Sequence, residues 1–474
     1  MRAMSLSTAL VVLAAVPVAA EADKLAPLQS DDPHKPRTYR LAVRPAAEPR
    51  PALRHQFVHR YVAQKPGNAA LLYYRMLDRI DKVDDKDISR WLDAPVAKLP
   101  VGEVRELLGK RRSALADLAD GARREDCDWQ IPIREEGWST VLPPLARFRD
   151  AGLLLALKAR LEIATGRYGE AVRTLTDGFA FARHLAETPT LVNALVGIAV
   201  ADTMLDQARV LMQADNAPNL YWALATLPHP PVEILPAIRV ELGGVLLAPE
   251  IGDTPVDELT AEQWKRLFYS MLRMMGQEKR PKLYATAVAM KLYPEGKRYL
   301  AGRGYTTRQI EAMSVHQVIG RYSFEAWTEL GDNMGKWFHV PYPQAHARLA
   351  AAERRLEVSR AGSSLAGFPF THLLPSVGRA YFIGMRLPRR VAALQCIEAV
   401  RMHAAANAGT LPASLDEITV VPAPVNPVTG RPFVYRRTDE GFVLTAAAAR
   451  GMDAKNTDIY EVSMTDRPRK EQTR

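Results

Sequence analysis

The sequence is poor in cysteine and lacks the short motifs of nucleotide and redox sites. Its 474 residues include two cysteines, Cys127 and Cys396, too far apart for the C-x-x-C spacing of redox and zinc sites. Neither a G-x-G-x-x-G stretch nor a phosphate-binding loop ending in Lys-Ser/Thr is present, so nothing indicates a nucleotide or another cofactor. An oxidising compartment would allow one long-range disulfide, but we favour two unpaired thiols.

Long blocks of one charge are also missing, although the formal net charge is +10. The stretches REEGW, RRED and DRIDKVDDKD mix both signs. Mixed charges of this kind are typical of solvated surfaces rather than of a nucleic-acid groove. We therefore expect no nucleic-acid partner.

The apolar run near the N-terminus is too short to span a membrane, which takes about 20 apolar residues. Residues 9–16 are apolar and follow the single positive charge of Arg2. Either Val18 with Ala20 or Ala20 with Ala22 fits the small-x-small rule for cleavage. The pattern predicts a signal peptide over residues 1–22, export to the periplasm or beyond, and no stable membrane insertion after cleavage.

Composition divides the rest of the chain into four segments. Residues 23–52 hold six prolines and few large apolar side chains, which predicts a disordered tether. Residues 53–388 have helical periodicity and predict a helical domain. Residues 389–464 predict a small α+β module, and residues 465–474 a disordered tail.

The clearest helical hairpin surrounds the stretch IATGRYGEAVRTL. Apolar side chains recur at three- and four-residue steps on both sides of Gly166, which can end a helix with a positive φ. The turn, with the small Ala171 facing the preceding helix, resembles the closing half of a tetratricopeptide repeat. No 34-residue recurrence accompanies it. The predicted fold is therefore mainly α: an irregular bundle of helical hairpins, tetratricopeptide-like in part, with a small C-terminal helix-plus-hairpin module.

Polar side chains cluster on one side of the most apolar helix, predicted over residues 190–213. Asp202, Asp206, Arg209 and Gln213 share this side on a helical wheel. Two carboxylates one turn apart suit acid–base chemistry, but such a pair is more often a solvated stripe. We expect a surface stripe in which Arg209 is an ion-pair partner.

The loop sequence CDWQIPIREEGW holds the strongest candidate binding residues. Trp129 and Trp138 flank Glu135 and Glu136 between two predicted helices. Two indoles with carboxylates suit a sugar or peptide groove, and a carboxylate pair suits glycosidase chemistry. Packing of the indoles against the end of the bundle is the competing interpretation.

His55 and His59 stand four residues apart, which on a helix places both imidazoles on one face. Zinc hydrolases use this spacing with a glutamate after the first histidine, whereas here Gln56 follows it. With no evident third ligand, we predict no metal site.

After Gly409 the periodicity changes from helical to alternating. The segment VYRRTDEGFVLTA alternates around a turn at residues 438–441 and predicts a β-hairpin. The segment DIYEVSM is a candidate third strand.

This C-terminal segment resembles the globular part of type II secretion pseudopilins, in which a long helix leads to a G-x-x-P-x-S-L stretch and then to a hairpin. Asn426 stands where the family has an acidic residue. The matching residues are Gly409, Pro412, Ser414, Leu415, Pro427, Gly430, Pro432, Phe433 and Tyr435. The resemblance implies an α+β module and a link to a secretion system.

The whole chain also resembles a group of exported bacterial proteins of unknown function, through PGNAALLYYRML, CDWQIP, PNLYWALATLP and the LPASLDEI…NPVTGRPF ending. The leading prediction is an exported, non-catalytic helical scaffold that binds an envelope protein or peptide. One alternative is an envelope hydrolase that acts on glycan or peptide through loop carboxylates. The other is a component associated with a secretion system.

Overall fold

The computed structural model describes residues 35–80, 85–137, 140–243, 248–249, 251–252, 254–274, 281–358 and 377–465. The predicted signal peptide, the first part of the predicted tether, Trp138 and almost all of the predicted tail lie outside these residues. The protein is mainly helical with a small sheet region that includes its C-terminal strands, as predicted.

The helices of the described chain are α1 Ala70–Arg79, α2 Asp85–Asp93, α3 Val101–Lys110, α4 Arg112–Ala122, α5 Ile133–Glu136, α6 Leu145–Ala164, α7 Tyr168–Ala186, α8 Leu191–Met212, α9 Tyr221–Ala225, α10 Leu235–Leu242, α11 Ala261–Met274, α12 Pro281–Gly302, α13 Thr307–Glu311, α14 Val315–Gly335, α15 Tyr342–Val358 and α16 Val377–Ala406. The strands are β1 Arg37–Val43, β2 Lys65–Asn68, β3 Arg124–Asp126, β4 Val425–Asn426, β5 Arg431–Pro432, β6 Val434–Arg437, β7 Gly441–Ala446 and β8 Asp458–Met464.

The chain divides into two compact units. The sheet unit contains residues 35–129, Pro143–Ile234 and residues 380–465, and the helical unit contains Gln130–Leu142 and Leu235–Arg379. This division differs from the predicted one, in which residues 53–388 form one helical domain. Its physical reason is that Arg390 of α16 forms buried ion pairs with Asp202 and Asp206 of α8, which joins residues far apart in sequence.

The main sheet has four strands in the order β1-β8-β7-β6. Strands β6 and β7 form the antiparallel hairpin predicted around residues 438–441, and β8 adds the predicted third strand antiparallel to β7. Strand β1 pairs in parallel with β8, with Tyr39 opposite Tyr460. The first and last described strands are therefore neighbours.

Strand β1 corrects the prediction of a disordered tether over residues 23–52. The prolines of this segment lie before and after the strand, so they leave its ladder hydrogen bonds intact. Alternate side chains of β1 are almost completely buried, at 4% exposure or less: Tyr39, Leu41 and Val43. The proline count therefore misled the prediction, although the alternation was present in the sequence.

The predicted hairpin is formed by α6 and α7, which lie on either side of Gly166. Gly166 has a φ of +72° and donates its N–H to the Ile163 carbonyl, while Arg167 N donates to the Glu162 carbonyl over 2.8 Å. These two bonds are the Schellman arrangement that satisfies the last carbonyls of a helix. Ala171 is fully buried, as expected for a close approach of two helices.

Helix α8 continues this up-and-down arrangement, with Thr190 as its N-cap. It is the described helix that is long and apolar enough to cross a membrane, and 83% of its most apolar stretch is buried inside the protein. Core helices of soluble proteins have the same length and composition. By itself the helix is therefore weak evidence for insertion.

The helical unit has its own cores. One core lies between α11, α12 and α14, with Phe268, Leu272, Leu292 and Ile319 among its buried residues. Helices α13 and α14 both begin with a capping box, in which the N-cap side chain and the third residue satisfy each other's backbone N–H groups. These local signals fix where both helices start.

Candidate functional site

A buried group of charged side chains joins α8 to α16 in the sheet unit. Arg390 donates to Asp202 and, over 2.6 Å from Nη2 to Oδ1, to Asp206. Arg209 lies 3.3 Å from the same Asp206 oxygen, so its predicted ion-pair role is confirmed. The predicted surface stripe is wrong, because α16 covers this side of α8 and buries Asp206, Arg209 and Arg390.

Burial and pairing set the pKa values of this group. Burial alone raises the pKa of Asp206, but the charges of Arg390 and Arg209 outweigh burial, and the pKa is lowered. Burial raises the pKa of Asp202. Burial would lower the pKa of Arg390, but Asp202 and Asp206 raise it well above its usual value. Arg390 and Asp206 therefore act as fixed charges at neutral pH.

Tyr39 of β1 packs against both guanidinium groups. Its ring centroid lies 5.3 Å from Cζ of Arg209 and 5.3 Å from Cζ of Arg390, within the range of a cation–π interaction. The same ring stacks on Tyr460 with a centroid distance of 5.0 Å. The N-terminal strand thus completes the surroundings of the buried charges.

An open cleft of about 870 Å³ lies beside this group, and Asp206 and Arg209 contribute to its wall. The cleft is bounded by α6, α8, β1 and the turn that follows α2. The charged residues that line it are Arg40, Arg149, Arg160, Arg209, Asp93, Asp206 and Asp215. We call it the arginine cleft.

Arg160 is the buried cation of the arginine cleft whose hydrogen bonds go to neutral groups. Its Nη1 donates to Gln207 Oε1 over 3.1 Å, and its Nη2 donates to the Ala94 carbonyl. No carboxylate of the described chain lies within the 4.0 Å ion-pair distance of its guanidinium. Burial, together with the charge of Arg209, lowers the pKa of Arg160 to about 10, so it stays protonated at neutral pH.

The other charges of the cleft lie nearer to solvent. Arg149 is half-buried and has no hydrogen bond or ion pair with any residue that the structure describes. Asp215 is held by Arg44 at 2.7 Å, and its carbonyl accepts a hydrogen bond from the Tyr168 hydroxyl over 2.7 Å. Arg149 is therefore the cation of the mouth that lacks a partner.

The predicted loop site is not formed as expected. Trp129 is 4% exposed, stacks on Tyr73 at 5.6 Å and donates its indole N–H to the His184 carbonyl over 2.7 Å. Its indole belongs to an aromatic core, so the prediction that it lines a groove is wrong. Glu135 and Glu136 are exposed on the single turn of α5, in the other unit.

The histidine pair is not on a helix, because the segment that holds His55 and His59 is irregular. His59 Nε2 lies 3.1 Å from Asp177 Oδ1. Within the described ranges, no group of three or more His, Cys, Asp or Glu side chains is placed to hold a metal ion. Cys127 and Cys396 are both buried free thiols, and burial raises the pKa of each.

Sequence reasoning singled out Asp206 and Arg209 of the arginine cleft but missed Arg160, and it missed Arg390 beside the cleft. Arg160 lies in the apolar stretch LLLALKARLEIA, and Arg390 is the second of two consecutive arginines that follow Pro388 in α16. Arginine is almost never fully buried without partners, so a lone arginine in such a stretch is a detectable signal. Its partners, however, come from α8 and the turn after α2, and no local pattern brings these together.

No protein-family model, no curated protein and no solved structure matches this chain. The resemblances to pseudopilins and to the group of exported proteins therefore stay predictions.

Proposed function

We propose that this protein is an exported, non-catalytic binding protein of the cell envelope, and that the arginine cleft is its binding site. The volume of the cleft lies within the range of roughly 300–1,000 Å³ that is usual for ligand pockets. Its wall combines guanidinium groups with half-buried apolar side chains, among them Leu92, Leu153 and Val210. Such a wall suits a ligand with both polar and apolar parts.

The observation that carries the proposal is the set of fixed charges around an open space. Arginine keeps its proton at neutral pH, and Asp206 is held as a carboxylate by two arginines. General acid–base catalysis needs a group that gains and loses a proton near the working pH. These side chains are therefore suited to recognition rather than to proton transfer.

The helical scaffold supports the same function. Helices α6, α7 and α8 form consecutive antiparallel hairpins, and α6 and α8 supply much of the cleft wall. Helical repeat proteins present such walls to peptides and proteins. We infer that the tetratricopeptide-like hairpin is used here in that way, with an envelope protein or peptide as partner.

The alternative of an envelope hydrolase gains no support from its predicted residues. Glu135 and Glu136 are exposed on the single turn of α5 and do not line the arginine cleft. The link to a secretion system rests on the resemblance of residues 389–464 to pseudopilins.

Closing the cleft with a bulky side chain tests the proposal. Ala97 lines the cleft at an exposed turn, so Ala97→Trp fills space without disturbing the core. Ala116, exposed on α4 and outside the cleft, gives Ala116→Trp as the matched control. Each protein is titrated with a panel of envelope peptides and glycan fragments in a thermal-shift assay.

We expect at least one ligand that raises the melting temperature of the wild type and of Ala116→Trp but not that of Ala97→Trp. Ligands that stabilise all three proteins equally would place the binding site elsewhere. A panel without any stabilising ligand would count against the binding function.

A further inference from the structure

The interior beside the arginine cleft holds more positive than negative charge. Three guanidinium groups, those of Arg160, Arg209 and Arg390, lie beside the two carboxylates of Asp202 and Asp206. Arg390 and Arg209 use both carboxylates, which leaves the charge of Arg160 without a counter-ion. Burial of an unpaired charge is costly, and proteins normally offset it with an opposite charge.

The remaining carboxylates of the cleft do not supply that charge. Asp93 is exposed to solvent, attracts Arg160 only from a distance and forms no ion pair with it. Asp215 is held by Arg44. In addition, the Nε of Arg160 is buried and has no hydrogen-bond partner among the described residues. Among the described residues, Arg160 thus has neither a counter-ion for its charge nor an acceptor for its Nε–H.

We infer that the arginine cleft binds its ligand through a carboxylate group that pairs with Arg160; this inference rests on the proposed function. A carboxylate has one negative charge, which matches the single unpaired guanidinium, and its two oxygens match the fork of an arginine. A doubly charged phosphate would be repelled more strongly by Asp93 and Asp215 at the mouth. Carboxylate is therefore favoured over phosphate.

Arg149, at the mouth of the cleft, supplies a second positive charge for the ligand. It lies eleven positions before Arg160 on the same helix, or about 16 Å along the helix axis. Because Arg149 has no partner among the described residues, its charge attracts an anionic ligand as the ligand approaches. The apolar body of the ligand then packs on the apolar wall, on side chains such as Leu153 and Val210.

The probe for this inference is N-acetyl-L-leucine, which joins one carboxylate to one apolar side chain. N-acetyl-L-leucinamide is the matched neutral compound, and inorganic phosphate is the competing anion. Dissociation constants are measured by isothermal titration calorimetry at pH 7 and constant ionic strength. The proteins are the wild type, Arg160→Gln, Arg149→Gln and, as a charge-matched control, Arg173→Gln, whose side chain is exposed on α7 outside the cleft.

We expect the carboxylate to bind at least about tenfold more tightly than the amide, as is usual for a hydrogen-bonded ion pair. Arg160→Gln should weaken carboxylate binding about tenfold or more, Arg149→Gln about threefold, and Arg173→Gln not at all. Phosphate should bind more weakly than the carboxylate. Arg160→Gln removes a buried group, and this variant can fail to fold. In that case the loss of carboxylate affinity in Arg149→Gln tests the inference.

Equal binding of the acid and the amide, or no loss in Arg149→Gln and Arg160→Gln, would overturn the inference. So would phosphate binding that exceeds carboxylate binding, and so would a wild type that binds neither compound. The variant Ala97→Trp separates the two proposals. If the wild type binds acid and amide equally and Ala97→Trp abolishes the binding of both, the cleft is a binding site but the carboxylate pairing is wrong.

Discussion

Arg390 keeps its charge in the interior because two carboxylates surround it. Taking a guanidinium out of water costs several kcal/mol, and the attraction of Asp202 and Asp206 offsets that cost. Removing one charged side chain of this group destabilises the fold more than replacing the whole group with apolar side chains, because the remaining charges stay buried without a counter-ion. Single substitutions in this group therefore have larger effects than their surface equivalents.

The first prediction concerns this group. We expect Arg390→Met to lower the free energy of unfolding by about 3–5 kcal/mol, since it leaves two acidic groups facing each other. Arg436→Met, which removes an exposed arginine from β6, should change it by less than about 0.5 kcal/mol. Urea unfolding of both variants measures the difference. Equal stability of the two variants would mean that the charges are solvated.

The second prediction concerns His184, whose Nδ1 lies 2.7 Å from the Tyr73 hydroxyl. Burial, followed by the charges of Arg183 and His59, lowers the pKa of His184 to about 3. In the unfolded chain the imidazole takes up a proton near pH 6.5, so protonation favours unfolding. The stability due to this residue is complete above about pH 6.5 and is lost as the pH falls towards 3.

The measurement is the difference in unfolding free energy between the wild type and His184→Gln. Between pH 6 and pH 4 this difference should shrink by about 1.4 kcal/mol per pH unit. Glu187 is partly exposed, and burial raises its pKa to about 7, so it acts in the opposite direction. Glu187 is present in both the wild type and His184→Gln, so its contribution cancels in the difference between their unfolding free energies. His403→Gln, on α16, serves as the control, and a pH-independent difference for His184→Gln would refute the argument.

Among the elements, the hairpin of α6 and α7 was the most predictable from sequence. A glycine with positive φ, a three- and four-residue apolar period and a small residue at the helix contact are all local signals. Strand β1 was missed because the prolines around it outweighed its alternation, and because its partner strand is 421 residues away, as measured from Arg40 to Glu461. Local sequence patterns predict the secondary-structure elements, but they do not predict which elements pack against each other in the folded chain.

The third prediction tests this hairpin with three substitutions. Ala171→Leu should cost about 1–3 kcal/mol of stability, because the fully buried methyl group leaves no room for a larger side chain. Gly166→Val should cost on the order of 1 kcal/mol or more, because φ is +72° there. Glu170→Gln breaks an exposed ion pair with Arg167 and should stay within about 0.5 kcal/mol. Thermal unfolding ranks the three, and a harmless Ala171→Leu would show that the contact is looser than described.

For the whole molecule, sequence reasoning predicted the class of fold but not the candidate site. The mainly helical character and the C-terminal sheet region follow from periodicity. The arginine cleft takes its wall from β1, α6, α8 and the turn after α2, so it exists only after tertiary folding. The conspicuous Trp129 is an aromatic core residue, which shows that an unusual side chain in a loop is not by itself a surface feature.

The fourth prediction concerns export. We expect the chain to be exported and cleaved after Ala20 or Ala22, because a short apolar run precedes these small residues. N-terminal sequencing of the exported protein should then begin near Glu21 or Asp23. Recovery of an exported protein that still begins at Met1 would refute the prediction.

The parallel pairing of β1 with β8 makes the sheet depend on two segments that are synthesised far apart in time. Strand β1 stays without this neighbour until β8 has also left the ribosome. Closing a loop of about 420 residues costs roughly 5 kcal/mol of chain entropy, so this pairing forms late, after the helices have brought the two strands together. A chain interrupted before β8 exposes Tyr39, Leu41 and Val43 as an apolar edge, and cellular proteases remove chains of this kind.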